Sequence, residues 1–483
     1  MRLSDLLAAI DVATDHDAQI NGLCLDSRQV SEGDLFFAYP GASTDGRDFI
    51  EMAQAAGAAA IVFEAGDFVL PADITITAVP VEILAQKMGL LADRFYGNPS
   101  ADLQVFGVTG TNGKTTCCYL LTQALTALDL NAGMIGTIGV GPLDHLVAGS
   151  HTTHDAITTH RLLAEMRDQG ITQVCMEVSS HALDQGRVNG VQFFCTLFTN
   201  LSHDHLDYHG DMAHYAAAKQ KLFAEFHSEL VITNADDELG AALIDVADAD
   251  FIASYSEQGK PADVRLVESA LNADGLQLQL ALNDLELSLA TPLIGAVNIP
   301  NLLLLVTALL ALSTDRDQIQ KIVANLRAAP GRMELHTAAN KPQVVIDYAH
   351  TPDALEKALA SIRHHCAGEL WCVFGCGGDR DADKRPLMGA AAERLADHLV
   401  VTNDNPRSEA PHLIAEQICA GIKGAAMVEL DRAAAIKLAI ESASQNDWVL
   451  VAGKGHEATQ TIGNQVLPFS DRAQVMAQLG VAA

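Results

Sequence analysis

Basic residues are scarce in this chain. Of 483 residues only 30 are Lys or Arg, against 61 Asp or Glu, giving a net charge of −31. A general nucleic-acid binder needs a basic face, so that class is excluded. Small anionic ligands are not, because a pocket of Arg, Lys and backbone N–H groups overrides the global field at short range. Long apolar runs are also missing. The longest, Leu302 to Leu312, is broken by Thr307 and falls short of the roughly 18–20 residues a membrane span needs. It predicts a buried helix, and no membrane insertion is expected. The first residues, MRLSDLLAAIDVATD, carry polar groups every few positions and lack the apolar core of a secretory signal. Paired CxxC motifs are absent. The nine cysteines are scattered and odd in number, which predicts reduced, mostly buried thiols in a cytoplasm.

Apolar residues are plentiful at 49%, enough for several cores, and the length suggests about three domains. Tyr96-Gly97-Asn98-Pro99-Ser100 and Ala329-Pro330-Gly331 are the two breaks. They divide the chain into 1–97, 98–330 and 331–483. After 103, apolar strands such as LQVFGV, TQVCMEV, LWCVF and WVLVA alternate with helical stretches. That alternation predicts an α/β fold of parallel sheets with crossover helices. Ligands bind such sheets beyond the carboxyl ends of the strands. The polar segments GVTGTNGKTT, SSHALDQGR, NLSHDHLDYHG, YAHTPD, GCGGDRDADKR, NDNPRSE and GKGHE all fall there.

The strongest of these is Gly107 to Thr116. Gly110, Thr111, Asn112 and Gly113 follow a strand, and Lys114, Thr115 and Thr116 open a helix, the setting of a phosphate-binding loop. Its backbone N–H groups can converge on phosphate oxygens. Lys114 can reach the outer phosphates and the Thr115 hydroxyl can bind Mg²⁺. The stretch with His203, Asp204, His205, Asp207 and His209 reads equally as a zinc site, with His205 and His209 four apart, or as a polar helix-capping loop. Glu177, at a strand end, is a metal ligand or an ion-pair partner. Arg380, Asp404, Asn405, Arg407 and Glu457 together suit a zwitterionic ligand, with an Arg fork for carboxylate and acidic groups for ammonium. Gly375, Gly377 and Gly378 begin a dinucleotide fingerprint that fails at Arg380.

In order along the chain, GVTGTNGKTT, MEVSSHALDQGR, TNLSHDHLDYHG, PGRMELH, DYAHTPDALEKAL, GCGGDRD, DNPR and AGKGHE resemble the Mur ligases over nearly the whole length. The resemblance implies a small mixed α/β N-terminal domain holding a uridine nucleotide. It implies a central P-loop parallel-sheet ATPase-type domain and a C-terminal Rossmann-like α/β domain binding the amino acid. The implied reaction is ATP-dependent amide formation through an acyl phosphate. The D-glutamate side-chain carboxylate of UDP-MurNAc-L-Ala-D-Glu would be joined to meso-2,6-diaminopimelate.

By matching positions, Lys114 cradles the transferred phosphate, and Thr115, Glu177, His205 and a carbamylated Lys219 serve Mg²⁺. The carbamate derives from CO₂. Asn298, Asn301, Arg332 and Asp347 match ATP contacts. Leu25, Ser27 and Ala42, Ser43, Thr44 match uridine-nucleotide contacts. Thr152, Thr153, Ser179, Gln185 and Arg187 match contacts to the muramoyl-peptide; relatives often carry Asn before Thr152, where this chain has His151. Arg380, Asp404, Asn405, Pro406, Arg407, Gly453 and Glu457 match a diaminopimelate pocket, with Arg407 for the carboxylate that lysine lacks. A folylpolyglutamate synthetase would share the ATP domain but has no need of the N-terminal DSR and DGR segments or of DNPR. A cytoplasmic location and a monomer are expected.

Overall fold

The computed structural model describes residues 1–14, 16–41, 44–149, 151–283 and 285–481. The chain forms two compact units, Met1–Ala253 and Ser254–Ala483.

The first unit opens with a four-stranded parallel sheet, β1 (Gly22–Cys24), β2 (Asp34–Ala38), β3 (Ala60–Glu64) and β4 (Thr77–Val81), in that spatial order. Leu35, Phe37, Ala60 and Val62 pack one face against Leu84, Met88 and Leu91 of the helix Leu84–Phe95. Ala156 and Ile157, far along the chain, complete this core.

Six further strands follow: β5 (Gln104–Thr109), β6 (Ala132–Gly136), β7 (Gly139–Gly141), β8 (Gln173–Glu177), β9 (Cys195–Phe198) and β10 (Ser228–Asn234). Their order is β10-β9-β5-β8-β6-β7, all parallel except the last. β5 lies between β8 and β9, with Val108 opposite Glu177 and Thr109 opposite Phe198. Three polar strand-end segments therefore leave the sheet side by side, as the reading of parallel sheets predicts.

The end of β11 (Ala249–Ser256) pairs with β12 (Val264–Asn272), which continues into β13 (Gly275–Leu282) and β14 (Leu285–Thr291). These last three are antiparallel, where strand–helix alternation predicted parallel pairing. The reason is the connection: Asn272 pairs with Gly275 across a two-residue turn, which leaves no room for a crossover helix. Along β13, Leu276, Leu278, Leu280 and Leu282 are buried while Gln277 and Gln279 are exposed, the period-two pattern of a half-covered sheet. The apolar run forms the helix Asn298–Ala311, with Leu302 to Leu305 fully buried. Among the described residues no helix is long and apolar enough to cross a membrane.

The last sheet contains β15 (Glu334–His336), β16 (Gln343–Asp347), β17 (Leu370–Phe374), β18 (His398–Val401), β19 (Met427–Val428) and β20 (Trp448–Ala452). The order is β15-β16-β20-β17-β18-β19, with only β15 antiparallel. Both faces are covered: Val345, Cys372, Phe374 and Leu450 pack on one side, and Val344, Val373, Val449 and Val451 on the other.

Candidate functional site

The turn from β5 into the helix Lys114–Ala127 is built by two glycines. Gly110 has φ +147° and Gly113 φ +88°, and a Cβ on Gly110 would lie 1.8 Å from Thr199 Oγ1. Only glycine fits there. Lys114 Nζ donates across the loop to Gly110 O at 2.7 Å and Thr111 O at 2.9 Å. Thr111 and Asn112 are tied to the β9 end: Thr111 N–H donates to Asn200 O at 2.8 Å and Asn112 N–H to Asn200 Oδ1 at 3.1 Å. Thr116 is buried on the first turn.

Glu177, 1% exposed, is the hub of this rim. It accepts from Thr115 Oγ1 at 2.9 Å, Thr137 N–H at 2.7 Å and Thr137 Oγ1 at 3.2 Å. All its side-chain donors are neutral, so a buried carboxylate stands without a counter-cation among the described residues, an arrangement suited to a bound cation. Thr137 Oγ1 lies 3.0 Å from Thr152 Oγ1. Thr153 Oγ1 donates to Glu177 O at 2.8 Å and accepts from Ser179 N–H at 3.0 Å. Arg187 donates to Thr153 O at 3.1 Å and to Gln185 Oε1, and Gln185 in turn donates to the Tyr208 hydroxyl at 3.0 Å. The residues matched to phosphate binding and to the muramoyl-peptide thus share one hydrogen-bonded network. Thr137 was not foreseen, because it belongs to no motif.

Lys219 is 1% exposed on the helix Met212–Ala224. Its Nζ donates to Gly110 O at 2.8 Å and lies 4.6 Å from the Tyr215 ring centre. Burial, with the charge of Lys114 adding, holds it well below the usual lysine range. His205 takes a left-handed conformation (φ +53°) before a one-turn helix, Leu206–His209. Its ring stacks edge-on against His181 at 4.9 Å, and His181 meets His209 at 5.4 Å. Burial pushes His181 down to about 4 and lowers His205 and His209 as well. Among the described residues no three His, Cys, Asp or Glu side chains are grouped to hold a metal, so the all-protein zinc alternative has no support.

Of the uridine-nucleotide positions, Ala42 and Ser43 lie outside the described residues. Ser27 is buried with its hydroxyl 3.2 Å from Met52 Sδ, Leu25 packs at the edge of the N-terminal core, and Thr44 O accepts from Gly41 N–H at 2.9 Å. No hydrogen bond among the described residues joins these three to the Glu177 network. His151 and His154 face each other with ring centres 6.3 Å apart, and His154 Nε2 is buried without a hydrogen-bond partner.

In the second unit, Asn298 and Asn301 are buried. Asn301 Nδ2 donates to Asn298 Oδ1 at 3.1 Å, and Asn298 Nδ2 to Ile294 O at 2.8 Å. The Arg332 guanidinium lies 4.4 Å over the Tyr348 ring and its Nε is buried without a partner. Asp347 accepts from Met333 N–H and Ala349 N–H, both at 2.8 Å; burial raises it, against the pull of Arg332.

Beyond β17, β18 and β20 the other matched residues converge. Asn405 Nδ2 donates to Glu457 Oε2 at 2.9 Å, and a Cβ on Gly453 would sit 2.6 Å from Asp404 Oδ2. Arg407, at φ +50°, donates to Gly378 O at 2.7 Å. Pro406 is buried and Arg380 is exposed. Fully buried Lys454, unforeseen, donates to Asn405 Oδ1 at 3.0 Å and Glu457 Oε2 at 2.9 Å. Burial pulls Glu457 up, but Lys454 and Asn405 outweigh it and hold it below its usual value. Asp404 is raised by burial, against Arg432 and Lys454.

Family models match three stretches: "Mur ligase family, catalytic domain" at residues 19–96, "Mur ligase middle domain" at 108–309, and "Mur ligase, glutamate ligase domain" at 331–455. The UDP-N-acetylmuramoyl-L-alanyl-D-glutamate–2,6-diaminopimelate ligase of Coxiella burnetii is 46% identical over 476 residues, 97% of each chain. That of Alkalilimnicola ehrlichii is 45% identical, covering 99% of each. A solved structure of a ligase of the same name superposes with a TM-score of 0.72 at 34% identity, over 99% of both chains. Motif order, three matched models and full-length likeness agree: the chain belongs to the Mur ligase family.

Proposed function

We propose that this chain is an ATP-dependent ligase. It adds meso-2,6-diaminopimelate to the D-glutamate side-chain carboxylate of UDP-MurNAc-L-Ala-D-Glu, in the cytoplasm and as a monomer. Residues 1–97 hold the uridine nucleotide, 98–330 the ATP and 331–483 the amino acid. The observation that carries the reading is Glu177. One buried carboxylate binds the phosphate-loop Thr115 and, through Thr137 and its own carbonyl, Thr152 and Thr153. Phosphoryl donor and acceptor carboxylate are thereby referred to a common anchor, as in-line transfer requires.

In this reading the substrate carboxylate attacks the γ-phosphorus, ADP leaves, and an acyl phosphate forms. The amine then attacks the acyl carbon and inorganic phosphate departs. Lys114 turns from the loop carbonyls to the transferred phosphate. Arg187 and Gln185 hold the muramoyl-peptide. Arg407, with Arg380, takes the distal carboxylate of diaminopimelate, while Asp404 and Glu457 receive ammonium groups.

Mg²⁺ fits the donors present, which are a hydroxyl and an uncompensated carboxylate of hard oxygen character. Thr115, Glu177, His205 and carbamylated Lys219 would hold it, and it would neutralise phosphate charge. Only a deprotonated amine combines with CO₂, and burial, with Lys114 nearby, shifts Lys219 in that direction.

The test is ATP-dependent phosphate release with UDP-MurNAc-L-Ala-D-Glu plus diaminopimelate, lysine or no amino acid. Release requiring both the nucleotide dipeptide and diaminopimelate is expected. Release that ignores the acceptors would refute the ligase reading, and release with lysine would refute the assignment of Arg407.

A further inference from the structure

We propose that Arg432 is a positioning residue for the amino-acid pocket: it sets the spacing between the loops that follow β18 and β20. This rests on the reading above that those loops bind the amino acid. The side chains of Arg432 and Asp471 are both 0% exposed. Arg432 Nε and Nη2 each meet an Asp471 oxygen at 2.7 Å. The remaining donors go elsewhere, Nη2 to Ala452 O at 2.9 Å and Nη1 to Asn403 O at 3.2 Å.

Those two carbonyls are the point. Ala452 is the last residue of β20, immediately before Gly453, and Asn403 immediately precedes Asp404. β20 and β18 are not neighbours, because β17 lies between them. The two strands do not pair with each other, and the backbone bridge between Arg407 and Ile462 lies farther out along the chain; at the strand ends themselves it is the guanidinium that spans the gap. Beyond it the loops meet directly through Asn405 and Glu457 at 2.9 Å and through Gly453 against Asp404. A displaced carbonyl on either side would therefore shift both the carboxylate and the ammonium partners of the ligand.

A role in stabilising its own helix does not explain the residue. Arg432 is the first residue of the helix Arg432–Ser442, and a cation is disfavoured at a helix N-terminus. Asp431 caps that helix already, accepting from Ala433 and Ala434 N–H. An Asp471 ion pair alone would leave no reason for two further bonds to those two carbonyls.

Two variants separate positioning from bulk stability. R432K keeps the charge but loses the fork. The double variant R432M/D471L replaces the buried pair by apolar side chains of similar size, which buried pairs commonly tolerate. Losing charge-assisted bonds to two carbonyls should raise KM for diaminopimelate by about tenfold or more. KM for ATP and for the nucleotide dipeptide should not change, and preference over lysine should narrow, with R432K intermediate. Amide exchange at 403–407 and 453–457 should quicken in both variants. Unchanged KM for diaminopimelate in R432K, a uniform rise in all three KM values, or unchanged exchange at both loops each overturns the proposal. Should the wild-type enzyme not require diaminopimelate, the functional reading falls first, and the exchange measurement still decides whether Arg432 holds the loops.

Discussion

Replacing Lys219 by methionine should abolish ligation while leaving the fold as stable as before or more so. The Lys219 side chain makes one hydrogen bond among the described residues, to Gly110 O. Losing it costs about 1 kcal/mol. Gly110 O is not orphaned, because Lys114 Nζ also donates to it at 2.7 Å. Against that loss stands burial of the amine, which, with Lys114 nearby, holds Lys219 well below its ordinary range. Each pH unit of such depression disfavours the folded state by about 1.4 kcal/mol while the unfolded lysine stays charged. One unit already offsets the hydrogen bond, so an apolar, unbranched side chain of similar length relieves more than it removes. Thermal unfolding of Lys219→Met beside wild type gives the stability half of the test. Phosphate release with all substrates gives the other, with a loss of about a hundredfold or more expected if the lysine serves phosphoryl transfer. Short carboxylic acids should partly restore turnover in Lys219→Ala, whose cavity can admit them. Isotope-labelled bicarbonate should give a carbamate resonance in wild type that both variants lack. A fall of many degrees in the melting temperature would make Lys219 a structural residue. Near-normal turnover in the methionine variant would remove it from the chemistry.

Other substitutions probe the remaining contacts. Glu177→Gln keeps the size but replaces one acceptor oxygen by an amide facing Thr115 and Thr137; turnover should fall by about a hundredfold with Mg²⁺ titration shifted to higher concentration. Arg407→Ala should raise KM for diaminopimelate by roughly tenfold and narrow its preference over lysine, both read from kcat/KM ratios. Gly378→Ala places a Cβ 1.9 Å from Pro406 O, which backbone atoms cannot relieve cheaply, so denaturant unfolding should show a loss of about 2–3 kcal/mol. His365 accepts from Gly295 N–H at Nε2 (2.8 Å) and therefore donates from Nδ1 to Asn272 O (2.6 Å), an arrangement only neutral imidazole can make. Burial, with His364 adding, lowers it. The unfolded state therefore takes up the proton first. The stability it contributes is present above the ordinary imidazole range and is lost as pH falls through that range toward the folded value. The slope, at most about 1.4 kcal/mol per pH unit, should flatten in His365→Gln measured by denaturation across that window.

Local motifs were legible in the sequence where chemistry and chain direction coincide. The phosphate loop could be read because strand, glycines, lysine and helix follow one another, and the DNPR and GKGHE segments because they sit at strand ends. The antiparallel strands β12 to β14 were missed. Leucine alternation along GLQLQLAL carries their signal, but the general strand–helix rhythm hid it. Unmatched residues with defined work share a different feature. Thr137 meets Glu177 across 40 positions and Arg432 meets Asp471 across 39. Lys454 looks like an ordinary lysine until its full burial is known. Spacing reveals periodicity within an element and says nothing of which distant elements a sheet brings together.

The charge of −31 and the basic groups at the strand ends follow one electrostatic rule. Surface charges act over about 8 Å at physiological ionic strength, so the acidic exterior repels a long polyanion that must lie along it. A small anion meets only the groups within its pocket. The candidate cations are set back from the surface, each within its own unit: Lys114 is half-buried over the loop carbonyls, Arg332 has a buried Nε without a hydrogen-bond partner, and Lys454 is fully buried between Asn405 and Glu457. Screening is weakest where water is excluded, so a few such groups outweigh the many at the surface. Glu177 differs from these groups, since it is a buried carboxylate whose donors, Thr115 and Thr137, are neutral. In the proposed ligase, a carboxylate beside the phosphates of ATP would repel them unless a cation came with them. The proposed role for Mg²⁺ therefore rests on the donor set of one residue rather than on the composition of the chain.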